Sequence, residues 1–283
     1  AMDPAALSGL SATGFAALDA EQVGALSAAQ IARLRPEQLK ALDGDDLNEF
    51  TRVQLKAFTA AQLKELPPER LAALSDEQFA AFSPTQLRGL TPLQLKALST
   101  TDIAAMTPEQ TTAFNAAQIG ALTGPQLAAL RGVAELTRTQ WTGVTAAQLK
   151  TLSATEVARL STAELSGINP AQINGLTPEA LSALSQTQSA MLTTQQVKGL
   201  TTTQLTGLSD TDVAELSTAQ LGVLDGPQVG VLIPHLSATA VSKLGGTQIT
   251  KIPLAALRSL SETQIAALTP AQVRGLSNEH LAN

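Results

Sequence analysis

The chain has no cysteine and no tyrosine, and only one tryptophan and six phenylalanines among its 283 residues. Without cysteine there is no disulfide framework and no thiolate to act as nucleophile or metal ligand. The scarcity of aromatic side chains leaves little material for a wide core, although aliphatic residues suffice for a narrow one. No apolar run approaches the roughly 20 residues that a membrane-spanning helix needs, so we expect no membrane insertion.

Clustered positive charge is also missing. The net charge is −6, and acidic and basic residues are interspersed along the chain. A protein that binds nucleic acid normally carries a basic patch that neutralises phosphates. The charge pattern therefore argues against nucleic acid as a partner.

What the chain has in abundance is an eight-residue unit, (Ser/Thr)-x-x-Gln-(Leu/Ile/Val)-x-x-Leu. Its 32 copies fill residues 11–130, 137–232 and 237–276, and the frame breaks at 131–136 and 233–236. The eighth position is always apolar, the fifth is apolar in all but two octads, the first is Ser, Thr, Asp or Asn in 28, and the fourth is Gln in 22. Such an array indicates an architecture in which each unit contacts near neighbours. We interpret residues 1–4 as an expression scar and residues 5–283 as a single octapeptide-repeat solenoid.

The octad at 91–98 shows why each unit should begin a helix. Thr91 is a favourable N-cap residue, because its hydroxyl oxygen can accept a hydrogen bond from the first helical turn. Pro92 falls at N1, where a missing N–H is not needed. Gln94 falls at N3, from which its side chain can reach the N-cap amide and complete a capping box. The sequence therefore predicts one helix start every eight residues.

Neither one continuous helix nor a strand fits this pattern. Prolines recur at the second position, and each would cost about 3 kcal/mol inside a continuous helix. An apolar repeat of eight would also drift by roughly 80° per unit around such a helix. Apolar spacings of three and five do not match the period of two of a strand. We therefore expect an all-α fold, an α-solenoid or superhelix of very short helices, one per octad, packed around a shared core.

The octad assigns structural roles to individual residues. The N-caps include Ser83, Thr91, Thr107, Thr177 and Thr269. The core is expected to form from fifth and eighth positions, among them Leu87, Leu90, Leu95, Leu98, Trp141, Leu205 and Leu208. We place Trp141 in the core rather than in a binding site, because it occupies a fifth position. The seventh position is mostly Ala or Gly, as at Ala97, Gly89, Gly175 and Gly207, which would allow neighbouring helices to approach closely.

A few residues depart from the repeat. The breaks at 131–136 and 233–236 either bend the array and present a site or, more simply, are shortened units left by duplication and deletion. His235 lies in the second break and His280 near the C-terminus, too far apart in sequence to be assumed a pair, and we expect both to be solvated. Thr111 and Ser189 are the two polar residues at the fifth position, where they either thin the core or bond a nearby carbonyl group.

Acidic residues cluster at 43–49, in the sequence Asp-Gly-Asp-Asp-Leu-Asn-Glu. Hard cations favour such oxygen ligands, but the spacing does not match an EF-hand loop. Asp43 falls at an N-cap, and Asp45 and Asp46 fall in a first helical turn, where carboxylates are favoured electrostatically. We therefore interpret the cluster as a helix start rather than a calcium site.

No catalytic motif stands out. The sequence contains no G-x-S-x-G elbow, phosphate-binding glycine loop or paired metal-ligand motif. The many Ser and Thr residues are explained as helix caps. We therefore predict a non-enzymatic protein with no catalytic, cofactor-binding or metal-binding residues and no cofactor.

The stretches at 200–208 (LTTTQLTGL) and 216–224 (LSTAQLGVL) resemble the LTTxQ(I/L)xxL octapeptide arrays of large secreted or surface proteins of Gram-negative bacteria. The resemblance covers nearly the whole chain. It implies an extracellular or surface-located bacterial spacer, adhesin or secreted interaction protein. We predict a structural or interaction module, an elongated repeat scaffold or spacer from a larger bacterial surface or secreted protein. The alternative is a host-directed effector or partner-binding solenoid that binds a protein or cell-surface partner on a concave face. The stretch at 176–184 is also similar to the opening of a TAL-effector repeat, but the eight-residue period, the lack of a base-reading loop and the acidic balance argue against that assignment.

Overall fold

The computed structural model describes residue 7, residues 9–130 and residues 136–277. Every one of the 32 octads forms one α-helix, and each helix begins at the second position of its octad. The helices are four to seven residues long. The described residues contain no strand. The fold is therefore all-α, a solenoid of very short helices, as the octad predicts.

The chain divides into two compact units, Ala1–Val144 and Thr145–Asn283. Both are built from the same octads, and the single solenoid expected over residues 5–283 stays a prediction. The octads of the first unit form sixteen helices: α1 (Ala12–Ala16), α2 (Ala20–Gly24), α3 (Ala28–Ile31), α4 (Pro36–Ala41), α5 (Gly44–Asn48), α6 (Arg52–Leu55), α7 (Ala60–Glu65), α8 (Pro68–Leu71), α9 (Asp76–Phe79), α10 (Pro84–Arg88), α11 (Pro92–Ala97), α12 (Thr100–Ala105), α13 (Pro108–Thr112), α14 (Ala116–Ala121), α15 (Gly124–Ala129) and α16 (Arg138–Trp141).

The octads of the second unit also form sixteen α-helices, and a 3-10 turn lies at Ile233–His235. The helices are α17 (Ala146–Leu149), α18 (Ala154–Ala158), α19 (Thr162–Gly167), α20 (Pro170–Ile173), α21 (Pro178–Ser182), α22 (Gln186–Met191), α23 (Thr194–Lys198), α24 (Thr202–Thr206), α25 (Asp210–Glu215), α26 (Thr218–Gly222), α27 (Gly226–Leu232), α28 (Ala238–Ser242), α29 (Gly246–Ile249), α30 (Leu254–Leu257), α31 (Glu262–Ala266) and α32 (Pro270–Gly275).

Each helix ends because the chain turns extended before the next cap. Helix α11 is followed by Leu98, which has an extended backbone at φ −62° and ψ 148° and whose N–H donates to the Leu95 carbonyl group. The next residue, Ser99, is the extended N-cap of α12. The chain therefore changes direction at every octad, and most apolar fifth and eighth positions are buried in the core of their unit. In the last two octads, Ile265 and Val273 at the fifth position are 54% and 41% exposed.

Helices pack mainly against the helices three octads away. In the first unit α11 contacts α8 and α14, and in the second α21 contacts α18 and α24. The backbones approach closely at these contacts. A Cβ atom on Gly175 would lie only 2.0 Å from the carbonyl oxygen of Ala146, and one on Gly89 only 2.8 Å from that of Ala60. The small seventh-position residues thus lie directly against the first turn of the helix three octads earlier.

Candidate functional site

The five residues singled out as N-caps all cap a helix. The side-chain oxygen of each accepts a hydrogen bond from the N3 backbone N–H at 3.1–3.3 Å. Four of them form a complete capping box with the glutamine at N3, whereas Thr177 does not, because Ala180 occupies N3 there. The caps are Ser83, Thr91, Thr107, Thr177 and Thr269.

The residues assigned to the core are buried. Trp141 is fully buried at a fifth position of α16. The six leucines singled out with it are also buried: Leu87, Leu90, Leu95, Leu98, Leu205 and Leu208. Thr111, one of the two polar fifth-position residues, is buried with its hydroxyl donating to the Thr107 carbonyl oxygen at 3.2 Å.

The fourth-position glutamine has a second role that sequence reasoning missed. In α11 the Gln94 Oε1 atom accepts from the Thr91 N–H at 2.8 Å, which is the capping box. Its Nε2 atom donates to the carbonyl oxygens of Leu63 and Leu66, both at 2.7 Å. These two residues hold the fifth and eighth positions of the octad four places earlier. We call this arrangement a glutamine bridge, because one buried amide joins its own helix cap to an earlier turn of the solenoid.

The same bridge, reaching 31 and 28 residues back, recurs in both units. Helices contact partners three octads away, while the bridge reaches the fourth octad, so one turn of the solenoid contains between three and four octads. In the first unit the bridging residues are Gln38, Gln54, Gln62, Gln86, Gln94, Gln118 and Gln126. In the second they are Gln196, Gln204, Gln220, Gln264 and Gln272.

A signal for the bridge was present in the sequence. A capping box accepts Glu as readily as Gln at N3, yet 22 octads have Gln at this position. Only an amide supplies N–H donors in addition to the oxygen that completes the box. The preference for Gln over Glu therefore indicates that its amide nitrogen has an acceptor, although the sequence does not say which carbonyl groups it reaches.

Some octads have an acid in place of the glutamine. Asp102 accepts from the N–H and the hydroxyl of Ser99, both at 2.7 Å, so the cap is kept. An ionised carboxylate has no proton to donate. At the usual spacing of 31 and 28 residues, a glutamine at this position would donate to the carbonyl groups of Leu71 and Leu74. The buried Asp102 thus marks a position where the inter-turn bond is missing.

Across each frame break the glutamine bonds span fewer residues than usual. Gln140 bonds the carbonyl groups of Thr111 and Phe114, 29 and 26 residues back, which is two fewer than the usual spacing. Gln248 bonds those of Leu221 and Leu224, 27 and 24 residues back, which is four fewer. The differences equal the residues missing from the six-residue and four-residue breaks. Residues 131–135 themselves lie outside the described residues.

The second break supplies only the latter half of an octad. Gln264 bonds the carbonyl groups of Ile233 and Leu236 with the spacing of 31 and 28 that fifth and eighth positions show elsewhere. Both side chains are buried. We call Ile233–Leu236 the half unit. It follows α27 directly as a 3-10 turn and brings no N-cap side chain of its own.

Leu7 and Leu10 show that the array extends before Ser11. Gln38 donates to their carbonyl groups from 31 and 28 residues away, as a glutamine does to fifth and eighth positions. The octads counted from the sequence began at residue 11. The proposed expression scar, residues 1–4, lies outside the described residues.

His235 is held by a carboxylate rather than lying free in solvent. Its Nδ1 atom is 2.6 Å from Asp210 Oδ1 on α25. The ring is half-buried and lines a cavity of about 160 Å³ between α25, α26 and α28, which we call the half-unit cavity. His280, the other histidine, lies outside the described residues.

A larger surface groove lies in the first unit. Its cavity of about 450 Å³ is lined by residues of α10, by Lys56, Ala80 and Ala81 nearby, and by Glu109 on α13. A smaller cavity that shares Lys56, Ala80 and Ala81 also includes Val53, whose side chain is 73% exposed. We call the two together the Lys56 groove. Hydrogen bonds to its own backbone and to Thr107 lower the pKa of Glu109, so it carries a negative charge near neutral pH.

The acidic cluster at 43–49 forms a helix start. Asp43 accepts from the N–H groups of Asp45 and Asp46, both at 2.9 Å, and Asp46 accepts from the Asp43 N–H. Within the described ranges there is no group of three or more His, Cys, Asp or Glu residues arranged to hold a metal ion. The same part of the chain has no helix that is long and apolar enough to span a membrane.

Comparison with known families gives one match. A family model described as the ALTTAQ repeat matches residues 79–115, the segment that contains α10–α13. No curated protein matches the chain. The chain is thus similar to a repeat-type family over the matched segment, in agreement with a scaffold built from tandem octads.

Proposed function

We propose that this chain is a non-enzymatic repeat scaffold, an elongated spacer within a larger secreted or surface protein of a bacterium. The observation that carries the proposal is the glutamine bridge. The recurring polar side chain is used to bond one turn of the array to another, so the repeated chemistry builds the scaffold itself. The second, third and sixth positions then vary on the outside without altering these bonds.

A spacer should respond to the number of octads and not to the identity of its exposed residues. Small-angle scattering of the chain should give the distance distribution of an elongated particle. Deleting the octads at 91–98 and 99–106 together should shorten the maximum dimension and leave helical content per residue unchanged. A compact particle, or a dimension that does not change with octad number, would contradict the spacer.

A bacterial surface or secreted location is part of the same proposal. It rests on the resemblance of 200–208 and 216–224 to octapeptide arrays of such proteins. Fractionation of the native bacterium, followed by protease treatment of intact cells, tests it directly. Detection only in the cytoplasmic fraction, protected from protease, would contradict it.

The Lys56 groove favours a second candidate function, a host-directed solenoid that binds one protein partner. Val53 and Leu93 both occupy third positions and are 73% and 71% exposed, but only Val53 lines the groove. In pull-downs from host-cell extract and from bacterial envelope fractions, Val53→Asp should abolish capture of a specific partner, whereas Leu93→Asp should not. Equal behaviour of the two variants would leave the groove without a role in binding.

A further inference from the structure

The half-unit cavity combines an oriented histidine with a neighbouring lysine. His235 Nδ1 lies 2.6 Å from Asp210 Oδ1. Because an ionised carboxylate only accepts hydrogen bonds, the Nδ1 atom carries the proton that is shared with Asp210. In the neutral ring the Nε2 atom then accepts hydrogen bonds. Lys243, at the seventh position of the octad that follows the half unit, lines the same cavity.

Apart from the His235 ring, whose Nε2 atom accepts in the neutral form, the polar lining of this cavity consists of groups that can donate hydrogen bonds. Ser237, Thr239 and Thr218 line it together with His235 and Lys243. The Ser237 oxygen accepts from the Ala240 N–H, which leaves its hydroxyl proton available. Among the described residues no acidic side chain lines the cavity, since Asp210 bonds the histidine from outside the lining set. A lining with several donors, one cationic side chain and no carboxylate is complementary to an anion.

The rest of the lining is apolar. Leu216, Leu221 and Leu236 line the cavity beside the polar groups. A cavity of about 160 Å³ is roughly ten times the 10–15 Å³ that a single water molecule needs on the same measure. It therefore has room for a small ligand with a short hydrocarbon part, which would contact the leucines while its charged end reached the lysine.

We propose that the half-unit cavity binds a small aliphatic carboxylate. The carboxylate group is held by the Lys243 ammonium group and the donors around it, and the hydrocarbon part packs on the leucines. Asp210 contributes by fixing the orientation of the His235 ring. This assigns a ligand site to the second frame break, which the scaffold role leaves unexplained.

The presence of only two histidines makes the site directly observable. In the full chain carrying His280→Ala, the imidazole NMR signals report on His235 alone. Titration with butyrate should shift these signals saturably, with a dissociation constant in the millimolar range. Inorganic phosphate, which has charge but no hydrocarbon part, should bind at least about tenfold more weakly, a factor that corresponds to about 1.4 kcal/mol.

Two lysine variants separate the site from general charge effects. Lys243→Gln should raise the dissociation constant of butyrate by about tenfold or more, because it removes a charge-assisted hydrogen bond. Lys251→Gln is the matched control, since Lys251 holds the seventh position of the next octad and does not line the cavity. Lys243→Arg keeps the charge and should retain binding. The loss in Lys243→Gln is then due to the missing charge and not to misfolding.

The proposal has clear contrary outcomes. A His235 signal that butyrate does not shift saturably would overturn it. So would equal binding by Lys243→Gln and Lys251→Gln in variants that unfold at the same temperature as the parent chain. If phosphate bound as tightly as butyrate, the hydrocarbon part would contribute nothing to recognition. That result would overturn the assignment to an aliphatic carboxylate.

Discussion

Gln94 donates its side-chain amide proton to the carbonyl oxygen of Leu63, 2.7 Å away and 31 residues earlier in the chain. The amide is buried, at 1% exposure. A buried backbone carbonyl group needs a donor, and leaving it unpaired costs about 1–3 kcal/mol. The glutamine side chain therefore stabilises two places, the start of its own helix and the end of a helix one turn earlier.

Gln94→Glu should separate these two contributions. Glutamate keeps the length of the side chain and can complete the capping box, but it cannot donate to Leu63 and Leu66. We expect the free energy of unfolding, measured with chemical denaturant, to fall by about 2–4 kcal/mol, since a charge is also buried. Gln22→Glu is the control, because Gln22 is exposed and its Oε1 atom forms the same box with Asp19. Equal losses in the two variants would mean that the inter-turn bonds add nothing.

The helices could be predicted from the sequence, but the hydrogen bonds between turns of the solenoid could not. Thr91, Pro92 and Gln94 each act through residues within one octad, so their roles follow from local rules for helix starts. The acceptors of Gln94 lie 28 and 31 residues away, and their position depends on how many octads complete a turn. That number is set by how closely the backbones of neighbouring turns pack, as between Gly175 and Ala146. A local sequence pattern does not give this distance. The pairing of His235 with Asp210 depends on the same number and was missed for the same reason.

Asp102→Gln should add an inter-turn bond where the chain lacks one. The new amide would face the carbonyl groups of Leu71 and Leu74 and keep the cap at Ser99. We expect stability to rise by about 0.5–1.5 kcal/mol, the usual net value of a hydrogen bond, measured as a shift in the denaturant midpoint. Asp102→Asn is the matched control, since it removes the charge but is one methylene shorter. If Asn stabilises as much as Gln, the gain comes from removing a buried charge and not from the bond.

Gly175→Ala should be destabilising although alanine favours helices. The added methyl group would lie 2.0 Å from the Ala146 carbonyl oxygen, so the two helices must separate. Overpacking of this kind typically costs about 1–3 kcal/mol, which thermal unfolding would detect. Gly222→Ala serves as the comparison, because outside its chain neighbours and its own helix backbone no atom lies within 4 Å of the position of its Cβ. That variant should be neutral or more stable by up to about 1 kcal/mol. A stabilising effect at both glycines would contradict the close approach.

Leu95→Ala and its neighbour Lys96→Ala test the assignment of faces. Leu95 is fully buried at the fifth position of its octad, whereas Lys96 is exposed. Loss of the leucine should cost about 2–5 kcal/mol through lost burial and the cavity left behind, and loss of the lysine should stay within about 0.5 kcal/mol. Similar effects of the two substitutions on the free energy of unfolding would show that the core face is misassigned.

The half unit at Ile233–Leu236 predicts which half of an octad the solenoid requires. It retains the buried fifth and eighth side chains and the two carbonyl groups that Gln264 bonds, and it lacks the first four positions. Deleting residues 91–94 should therefore leave a second half unit, with Leu95 and Leu98 still buried and still bonded by Gln126. The chain should remain folded, with the loss of one cap and one glutamine bridge.

Deleting residues 95–98 removes the same number of residues but takes both core leucines and both acceptors of Gln126. We expect this variant to be less stable than the other deletion by about 3 kcal/mol or more, since two buried leucines are lost. Denaturant unfolding followed by circular dichroism measures the difference directly. If the two variants are equally stable, the solenoid does not require the core residues and inter-turn bonds of the second half of an octad. The register across Ile233–Leu236 would then have another cause.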